Sequence, residues 1–162
     1  MTVNGVPEVG GFRSRAALWV LHRIFALTRG MTLGVRAACF DSEGRIFLVR
    51  HTYVAGWYLP GGGVERHETA LQALEKELRE EGNLRMTAAP SLVHVYYNRN
   101  VSKRDHVLFY RVEVAQTASR PPDREIAESG FFHLDALPAD ATAATLRRIG
   151  ELTGSAPPDD IW

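Results

Sequence analysis

Residues 61–84 read GGGVERHETALQALEKELREEGNL and join a glycine-rich loop to a run of strong helix formers. From Glu68 to Glu81 nearly every residue favours a helix, and leucines recur at three- and four-residue spacing, at Leu71, Leu74 and Leu78. Gly82 and Asn83 follow, and both residue types tolerate the left-handed backbone that ends a helix. The stretch therefore predicts a helix over 68–81 whose leucines face a core, with the rest of the chain folded around it.

The same helix carries a cluster of glutamates. At 100° per residue, Glu77 and Glu81 lie beside the leucine stripe, and Glu80 lies one step further round. Like charges at this spacing repel by about 0.2–0.5 kcal/mol per pair, and by more where water is excluded, so the cluster favours the binding of a compensating cation. Oxygen ligands without histidine favour Mg²⁺ or Mn²⁺, and Mg²⁺ is commonly shared with substrate phosphates. The pattern predicts a metal site and a phosphate ester or anhydride as substrate.

A simpler interpretation is a solvated acidic helix face, partly neutralised by the i,i+4 pairs Glu75–Arg79 and Lys76–Glu80. The preceding loop, Pro60 followed by three glycines, favours a ligand site instead. Glycine reaches backbone conformations closed to other residues, so amides and carbonyls can approach a ligand closely. An anion bound there would also meet the amino end of the helix.

The stretch resembles the signature of the Nudix hydrolases, G-x5-E-x7-R-E-U-x-E-E-x-G-U, in which U is aliphatic. The alignment has no gap: Gly62 takes the first glycine, Glu68 the isolated glutamate and Leu84 the closing aliphatic position, and the acidic core falls on Glu77, Leu78, Glu80 and Glu81. The signature covers 23 of the 162 residues and fixes many positions, so it is far more specific than a lone glycine motif.

Two positions depart from the signature. Asn83 replaces the final glycine, and because Asn is the non-glycine residue that most readily takes positive φ, we expect the helix stop to be kept. Lys76 replaces arginine, which keeps the charge and loses the two-pronged geometry that holds several glutamates at once. The departures leave a second hypothesis open, a non-catalytic nucleotide sensor or RNA-binding module on the same fold.

The resemblance implies the Nudix α/β/α sandwich, a mixed sheet between helices, and Mg²⁺- or Mn²⁺-dependent hydrolysis of a nucleoside diphosphate linked to another group. Carried over by position, Glu77 and Glu81 would be metal ligands, Glu80 a further ligand or the base that activates water, and Gly61 a carbonyl ligand. Glu125 lies six residues before Phe131, where several members place an additional catalytic or metal-binding glutamate. The catalytic residues predicted in this way are Glu77, Glu80 and Glu125.

Composition and charge fit one enzyme-sized domain. A chain of 162 residues with 45% apolar residues can bury a sizeable core, and we expect a single domain over 12–153 between a flexible N-terminus, 1–11, and a flexible tail, 154–162. Nineteen basic and nineteen acidic residues leave no net field to attract nucleic acid or acidic membranes. The single cysteine, Cys39, forms no internal disulfide and is expected to be a small apolar strand residue, consistent with a reducing cytoplasm.

Residues 13–28, RSRAALWVLHRIFALT, predict an additional N-terminal helix that is apolar on most sides and carries several arginines. It is too short and too often interrupted by charge to span a bilayer. We expect it to pack against the domain or against the partner subunit of a homodimer. A basic anchor on a membrane surface is the alternative.

The remaining pattern predicts strands and one more helix. Strands are expected over 32–40, 45–50, 92–98, 106–114 and around 131–132, with a closing helix over 142–152. The first two strands form a hairpin, and the third and fourth flank a loop with three basic residues, Arg99, Lys103 and Arg104. This loop either is simply exposed or clamps an anionic substrate.

The substrate class is narrowed by elements that the chain lacks. It has no SQPWPFPxS-like element of NADH pyrophosphatases, and no extended upstream motif of coenzyme A pyrophosphatases. Residues 99–102 carry neither the proline nor the tyrosine associated with ADP-ribose or dinucleoside-polyphosphate members. We therefore expect a small-molecule nucleotide, first a (deoxy)nucleoside triphosphate, including oxidised forms, and second a nucleotide sugar, with an ADP-ribose-type substrate as a further alternative.

Overall fold

The computed structural model describes residues 30–162, which form a six-stranded sheet and two helices. The elements in chain order are β1 (Thr32–Phe40), β2 (Ile46–His51), α1 (Ala70–Gly82), β3 (Leu84–Met86), β4 (Ser91–Tyr97), β5 (Asp105–Gln116), β6 (Ile126–Phe132) and α2 (Ala143–Thr153). The predicted N-terminal helix over 13–28 and the predicted flexible segment 1–11 lie outside the described residues.

The sheet is mixed, as the sequence predicted. Its strand order is β3-β5-β1-β2-β6, with β4 also paired to β5. The strands β1 and β5 run parallel from Thr32 opposite Asp105 to Phe40 opposite Glu113, and the other pairs are antiparallel. Strand β1 therefore lies between β5 and β2 in the middle of the sheet, where most of its residues are buried.

The two helices lie against opposite faces of this sheet. Along β1, Val35, Ala37 and Cys39 alternate with Ala38 and Phe40, because successive side chains of a strand point to opposite faces. The first set packs with Ala73, Leu74 and Leu78 of α1, and the second set packs with Ile149 of α2. The described part of the chain thus has the helix–sheet–helix layering of the predicted sandwich, and Cys39 is a buried apolar strand residue as expected.

Helix α1 begins two residues later and ends one residue later than predicted. Thr69 caps its start, with its hydroxyl accepting from the Gln72 amide at 3.2 Å while the Gln72 side chain accepts from the Thr69 amide at 2.9 Å. Asn83 ends the helix in the left-handed conformation, at φ 51° and ψ 34°, so asparagine terminates the helix at the position where the signature has glycine.

The prediction that three leucines of α1 face the core is wrong for Leu71, which is 49% exposed. The buried stripe contains Ala73, Leu74, Leu78 and Glu81. It is centred on Leu74 and rotated toward the glutamate side, which leaves Leu71 at the solvent edge of the first turn. This rotation brings Glu81 into the protein interior.

The glycine loop lies inside the sheet. Strands β1 and β2 pair directly only at Cys39–Phe47 and Phe40–Ile46, so the predicted hairpin is short. Beyond these pairs the loop lies between the two strands. Amides of β1 donate to the carbonyls of Gly62 and Pro60 at 2.9 and 3.0 Å, and on the other side Tyr58 exchanges two backbone hydrogen bonds with β2. The loop is therefore fixed from both sides.

Residues 154–162, which the sequence predicts to be a flexible tail, make hydrogen bonds to the rest of the domain. The carbonyl of Ile161 accepts from the buried Arg148 side chain at 2.9 Å, and the Trp162 amide donates to the Tyr97 carbonyl at 3.2 Å. Trp162 packs on the core cluster that includes Ile149 of α2. Its ring lies edge-on to the ring of Tyr96, with centroids 5.3 Å apart. Pattern reasoning did not find β3, which has three residues. Within residues 30–162, neither helix is long and apolar enough to cross a membrane.

Candidate active site

Four of the predicted glutamates line one cleft of about 270 Å³ beside the glycine loop. Glu77, Glu80 and Glu81 reach it from the second half of α1, and Glu125 reaches it from the residue preceding β6. Arg120, Asp123 and Ile126 complete the lining. The fold thus brings together carboxylates that are more than 40 residues apart in the chain.

Glu81 is the most buried of these carboxylates, with 5% of its surface exposed. Its Oε2 accepts a hydrogen bond from the Gly61 amide at 2.7 Å, and its Oε1 lies 3.7 Å from Nε2 of His51. Burial raises the pKa of Glu81 to about 7, against the opposing effects of the Arg36 guanidinium and the Gly61 hydrogen bond. Glu81 therefore couples the end of the signature helix to the glycine loop.

Glu77 lies directly over Gly62. A Cβ placed on Gly62 would collide with the Glu77 carboxylate, so any other residue at this position would displace that flexible side chain. Burial raises the pKa of Glu77, with Glu80 adding to the shift and Lys76 opposing it. The first signature glycine therefore leaves the Glu77 carboxylate free to take this position.

Lys76 connects two of the signature glutamates. Its Nζ lies 3.1 Å from Oε1 of Glu68 and 3.9 Å from Oε1 of Glu77. The opposite oxygen of Glu68 accepts from the Glu65 amide at 2.9 Å, which fixes the loop before α1. The expected i,i+4 pair with Glu80 is absent from these contacts, and Glu80 instead lies 3.4 Å from Arg79. Lysine thus performs part of the bridging role that the signature gives to arginine.

The backbone around Glu125 is held by Asp123. The Asp123 carboxylate accepts from the amides of Ile126 and Glu125, both at 2.8 Å, and from Arg120 at 2.7 Å. The two backbone hydrogen bonds and the Arg120 interaction lower the pKa of Asp123 to about 2. Arg120 also donates from Nε to the Glu80 carbonyl at 2.6 Å, near the carboxyl end of α1. These bonds tie the residue before β6 to the signature helix.

The donor chemistry of the cleft fits a hard divalent cation. Its carboxylates supply oxygen ligands, and burial makes the ionised forms of Glu77 and Glu81 costly until a cation compensates them. The carbonyls of Pro60 and Gly62 accept hydrogen bonds from β1, and the Gly61 carbonyl takes no part in those two bonds. Among the described residues, no group of three or more acidic, histidine or cysteine side chains lies close enough together to hold a metal ion by itself.

The predicted phosphate-binding residues Arg99, Lys103 and Arg104 lie apart from this cleft. All three are exposed on the loop between β4 and β5, and they are not among the described residues that line the glutamate cleft. Another residue of the same loop, Val101, lines a second cleft of about 390 Å³. A clamping role for the three basic residues stays a prediction.

Sequence reasoning missed three residues of the site, Arg36, His51 and Asp123. Arg36 and His51 lie on strands whose pattern indicates only burial, and no motif marks them. Asp123 was recognisable as a turn residue after two prolines, because aspartate often accepts from amides two or three residues ahead. The roles of Arg36 and His51 depend on contacts with segments that are distant in the chain.

A comparison with family models matches residues 30–152, more than half of the chain, to the NUDIX domain. The chain therefore belongs to the NUDIX family and is an enzyme of the Nudix hydrolase class.

The comparisons with individual proteins agree with this fold. The structure resembles that of a MutT NUDIX hydrolase from Burkholderia pseudomallei, with 24% identity and a TM-score of 0.63 over 75% of this chain and 97% of that one. An ADP-ribose pyrophosphatase from Streptococcus suis is 28% identical, with a TM-score of 0.59 over 75% of this chain and 91% of that one. An RNA pyrophosphohydrolase from Halorhodospira halophila is 46% identical over 44 residues, which are 27% of this chain and 24% of that protein. The chain thus matches about a quarter of the length of that relative.

Proposed function

We propose that this protein is a divalent-metal-dependent pyrophosphohydrolase of a nucleoside diphosphate linked to another group. The observation that carries the proposal is the convergence of Glu77, Glu80, Glu81 and Glu125 on one cleft beside the glycine loop. Clustering carboxylates where water is partly excluded is unfavourable unless a cation compensates them, and Mg²⁺ held by carboxylates is commonly shared with the phosphates of a substrate.

Mg²⁺ or Mn²⁺ would be held by Glu77, Glu81 and the Gly61 carbonyl, with Glu80 as a further ligand. The ion would neutralise the charge of the diphosphate and lower the pKa of bound water. Glu80 and Glu125 are the candidates to accept the proton of the attacking water, because both are exposed to the cleft. Lys76 and the Gly61 amide position the carboxylates of Glu77 and Glu81.

The substrate that we favour is a (deoxy)nucleoside triphosphate, oxidised forms included. The likeness to the MutT NUDIX hydrolase supports the Nudix fold. The choice of substrate is supported by the absence of the sequence elements of the NADH, coenzyme A and ADP-ribose subfamilies. ADP-ribose is the second candidate because the Streptococcus suis relative is named as an ADP-ribose pyrophosphatase. Nucleotide sugars and 5′-triphosphate RNA complete the range to be tested.

The proposal is tested by hydrolysis of a substrate panel with Mg²⁺, with Mn²⁺ and with a chelator, measuring released phosphate and pyrophosphate. The panel contains the nucleoside triphosphates, 8-oxo-dGTP, ADP-ribose, UDP-glucose and triphosphorylated RNA. Glu77→Gln is expected to lose most of the activity, whereas Glu75→Gln, at an exposed position of the same helix, is expected to retain it. A folded wild-type protein that hydrolyses no member of the panel, or an active Glu77→Gln variant, would contradict the proposal.

A further inference from the structure

His51, the last residue of β2, is a buried histidine beside the glutamate cleft to which the proposed reaction gives no role. Side chains of a strand alternate between its faces, so His51 lies on the same face as Phe47 and Val49, the face that packs against α1. A bulge in the pairing of β2 with β6 precedes His51, which pairs with Ile126, the residue after Glu125. The end of β2 thus places an imidazole between the signature helix and the Glu125 segment.

The two ring nitrogens of His51 have different surroundings. Nδ1 is buried and has no hydrogen-bond partner among the residues that the structure describes. Nε2 faces the carboxylate of Glu81, 3.7 Å from Oε1. The nitrogen that carries the proton of a neutral imidazole is set by the acceptor that it meets. A buried N–H without an acceptor is less favourable than an unused lone pair, so the proton belongs on Nε2. His51 therefore presents a donor to Glu81.

The Glu81 carboxylate is approached by donors from two sides. Its Oε2 accepts from the Gly61 amide at 2.7 Å. That amide is fixed in place, because the loop is pressed so closely onto β1 that a Cβ on Gly61 would collide with the Val35 carbonyl. The donor that faces Oε1 is Nε2 of His51. Its distance exceeds the usual N–H···O length of about 2.7–3.2 Å, and such bonds are often long before a ligand binds and shorten in the complex.

Two tyrosines hold the imidazole ring of His51 in place. The ring centroids of Tyr53 and Tyr58 lie 5.1 and 5.7 Å from that of the imidazole. Tyr58 is fixed in turn, because its hydroxyl donates to the Ala55 carbonyl at 2.9 Å and its backbone exchanges two hydrogen bonds with Val49 of β2. A ring that is held by packing in this way can orient a neighbouring group.

We propose that His51 is a positioning residue for Glu81. It donates from Nε2 to Oε1 while the Gly61 amide donates to Oε2, and the two donors together fix the orientation in which the carboxylate meets the divalent cation. The inference rests on the proposed function and deepens it by adding a residue outside the signature. Outer donors of this kind fix the orientation of a metal ligand, and losing one typically costs roughly 10–100-fold in metal affinity.

The first test measures the binding of Mn²⁺ alone, without nucleotide, by calorimetry and by the loss of the EPR signal of the free ion. It compares the wild type with His51→Gln, His51→Leu and His133→Leu. Glutamine keeps an N–H donor at the end of the side chain, and leucine removes it. His133 is the matched control because it is an exposed histidine directly after β6. A thermal melt of each variant confirms that it is folded.

His51→Leu is expected to weaken the binding of Mn²⁺ by about tenfold or more, and His51→Gln should recover most of the loss. His133→Leu should bind Mn²⁺ like the wild type. With active enzyme, His51→Leu should raise the Mg²⁺ concentration that gives half-maximal rate by a larger factor than it lowers the rate at saturating Mg²⁺. A merely structural role would lower the melting temperature and leave the Mn²⁺ affinity of the folded variant unchanged.

The second test uses only the wild type. NMR correlation of the ring nitrogens of His51 with its carbon-bound protons, at a pH where the imidazole is neutral, reports which nitrogen carries the proton. The expected result is the Nε2–H form, both without metal and with Mg²⁺. Pulsed EPR of the Mn²⁺-bound protein reports whether a nitrogen coordinates the ion, and none is expected.

The inference is overturned if folded His51→Leu binds Mn²⁺ as tightly as the wild type, or if the proton resides on Nδ1. It is equally overturned if a nitrogen of His51 coordinates the ion, since His51 would then be a ligand itself. Where His51→Leu does not fold, the two measurements on the wild type decide. A protein whose Mn²⁺ binding depends on the His51 donor and that hydrolyses no nucleotide would contradict the proposed function alone, so the two failures are distinguishable.

Discussion

Replacing Glu81 by glutamine should stabilise the metal-free protein while removing its activity. Glutamine keeps the shape of the side chain, and its carbonyl oxygen can still accept from the Gly61 amide, a bond of 2.7 Å in the wild type. It removes the ionisable group whose pKa burial raises from 4.5 to about 7. A carboxyl with a raised folded-state pKa destabilises the folded protein whenever it is ionised.

The size and pH window of the effect follow from that shift. Below about pH 4.5 the carboxyl is protonated in both states, so Glu81 costs nothing. Between pH 4.5 and about 7 the folded state binds more protons than the unfolded state, and stability falls as pH rises. Above pH 7 the full penalty applies, about 3 kcal/mol at 1.36 kcal/mol per unit. For a domain of this size that is about 6–12 °C in melting temperature.

The assay is urea unfolding of the wild type and Glu81→Gln at pH 5 and pH 8, with a chelator present. The variant should exceed the wild type by about 3 kcal/mol at pH 8 and by much less at pH 5. Adding Mg²⁺ should recover stability mainly in the wild type, because the variant has lost a charged ligand. The exposed position Glu75→Gln serves as the control. A wild type that is as stable as the variant at pH 8, or a difference independent of pH, would refute the reasoning.

Three further predictions concern the neighbouring positions and the fold. Lys76→Arg should preserve or raise turnover and lower the Mg²⁺ concentration that gives half-maximal rate. The reason is that a guanidinium spans Glu68 and Glu77 better than an ammonium does. A slower enzyme at saturating Mg²⁺ would count against this prediction. Gly62→Ala should lower turnover by about 10–100-fold because the new Cβ displaces the Glu77 carboxylate. The control is Gly130→Ala on β6, which should leave turnover unchanged because a Cβ there makes only an ordinary contact. Equal rates for the two variants would be incompatible with the position of Glu77. Arg148→Met should lower the free energy of unfolding by about 3–5 kcal/mol in urea titrations, because it leaves Glu151 buried without its charge partner. Removing the Glu151 carboxylate as well should recover most of this loss. A loss within the error of the titration would refute the account of this buried pair.

The sequence by itself determined the signature helix and which of its faces carries the glutamates. The helix-forming residues at 68–81 and the stop at Gly82-Asn83 are local properties, and the structure confirms the helix to within two residues at either end. Asn83 takes positive φ because its own side chain tolerates that conformation, wherever the rest of the chain goes. The strand pattern of β1, β2, β4 and β5 is local in the same way, since alternation of side chains follows from backbone geometry alone.

Only the tertiary structure decided how far each predicted residue is buried and what it contacts. Leu71 satisfied the helical pattern and is exposed, since the sheet meets α1 on a stripe rotated toward the glutamates. Glu81 becomes a buried carboxylate because the glycine loop lies between β1 and β2, an arrangement that depends on hydrogen bonds between segments 20 or more residues apart. Arg36 and Trp162 gain their places in the wall of the second cleft from the same long-range packing. Local propensity and spacing cannot encode these positions, because burial and electrostatic environment are set by segments that meet only after the chain has folded.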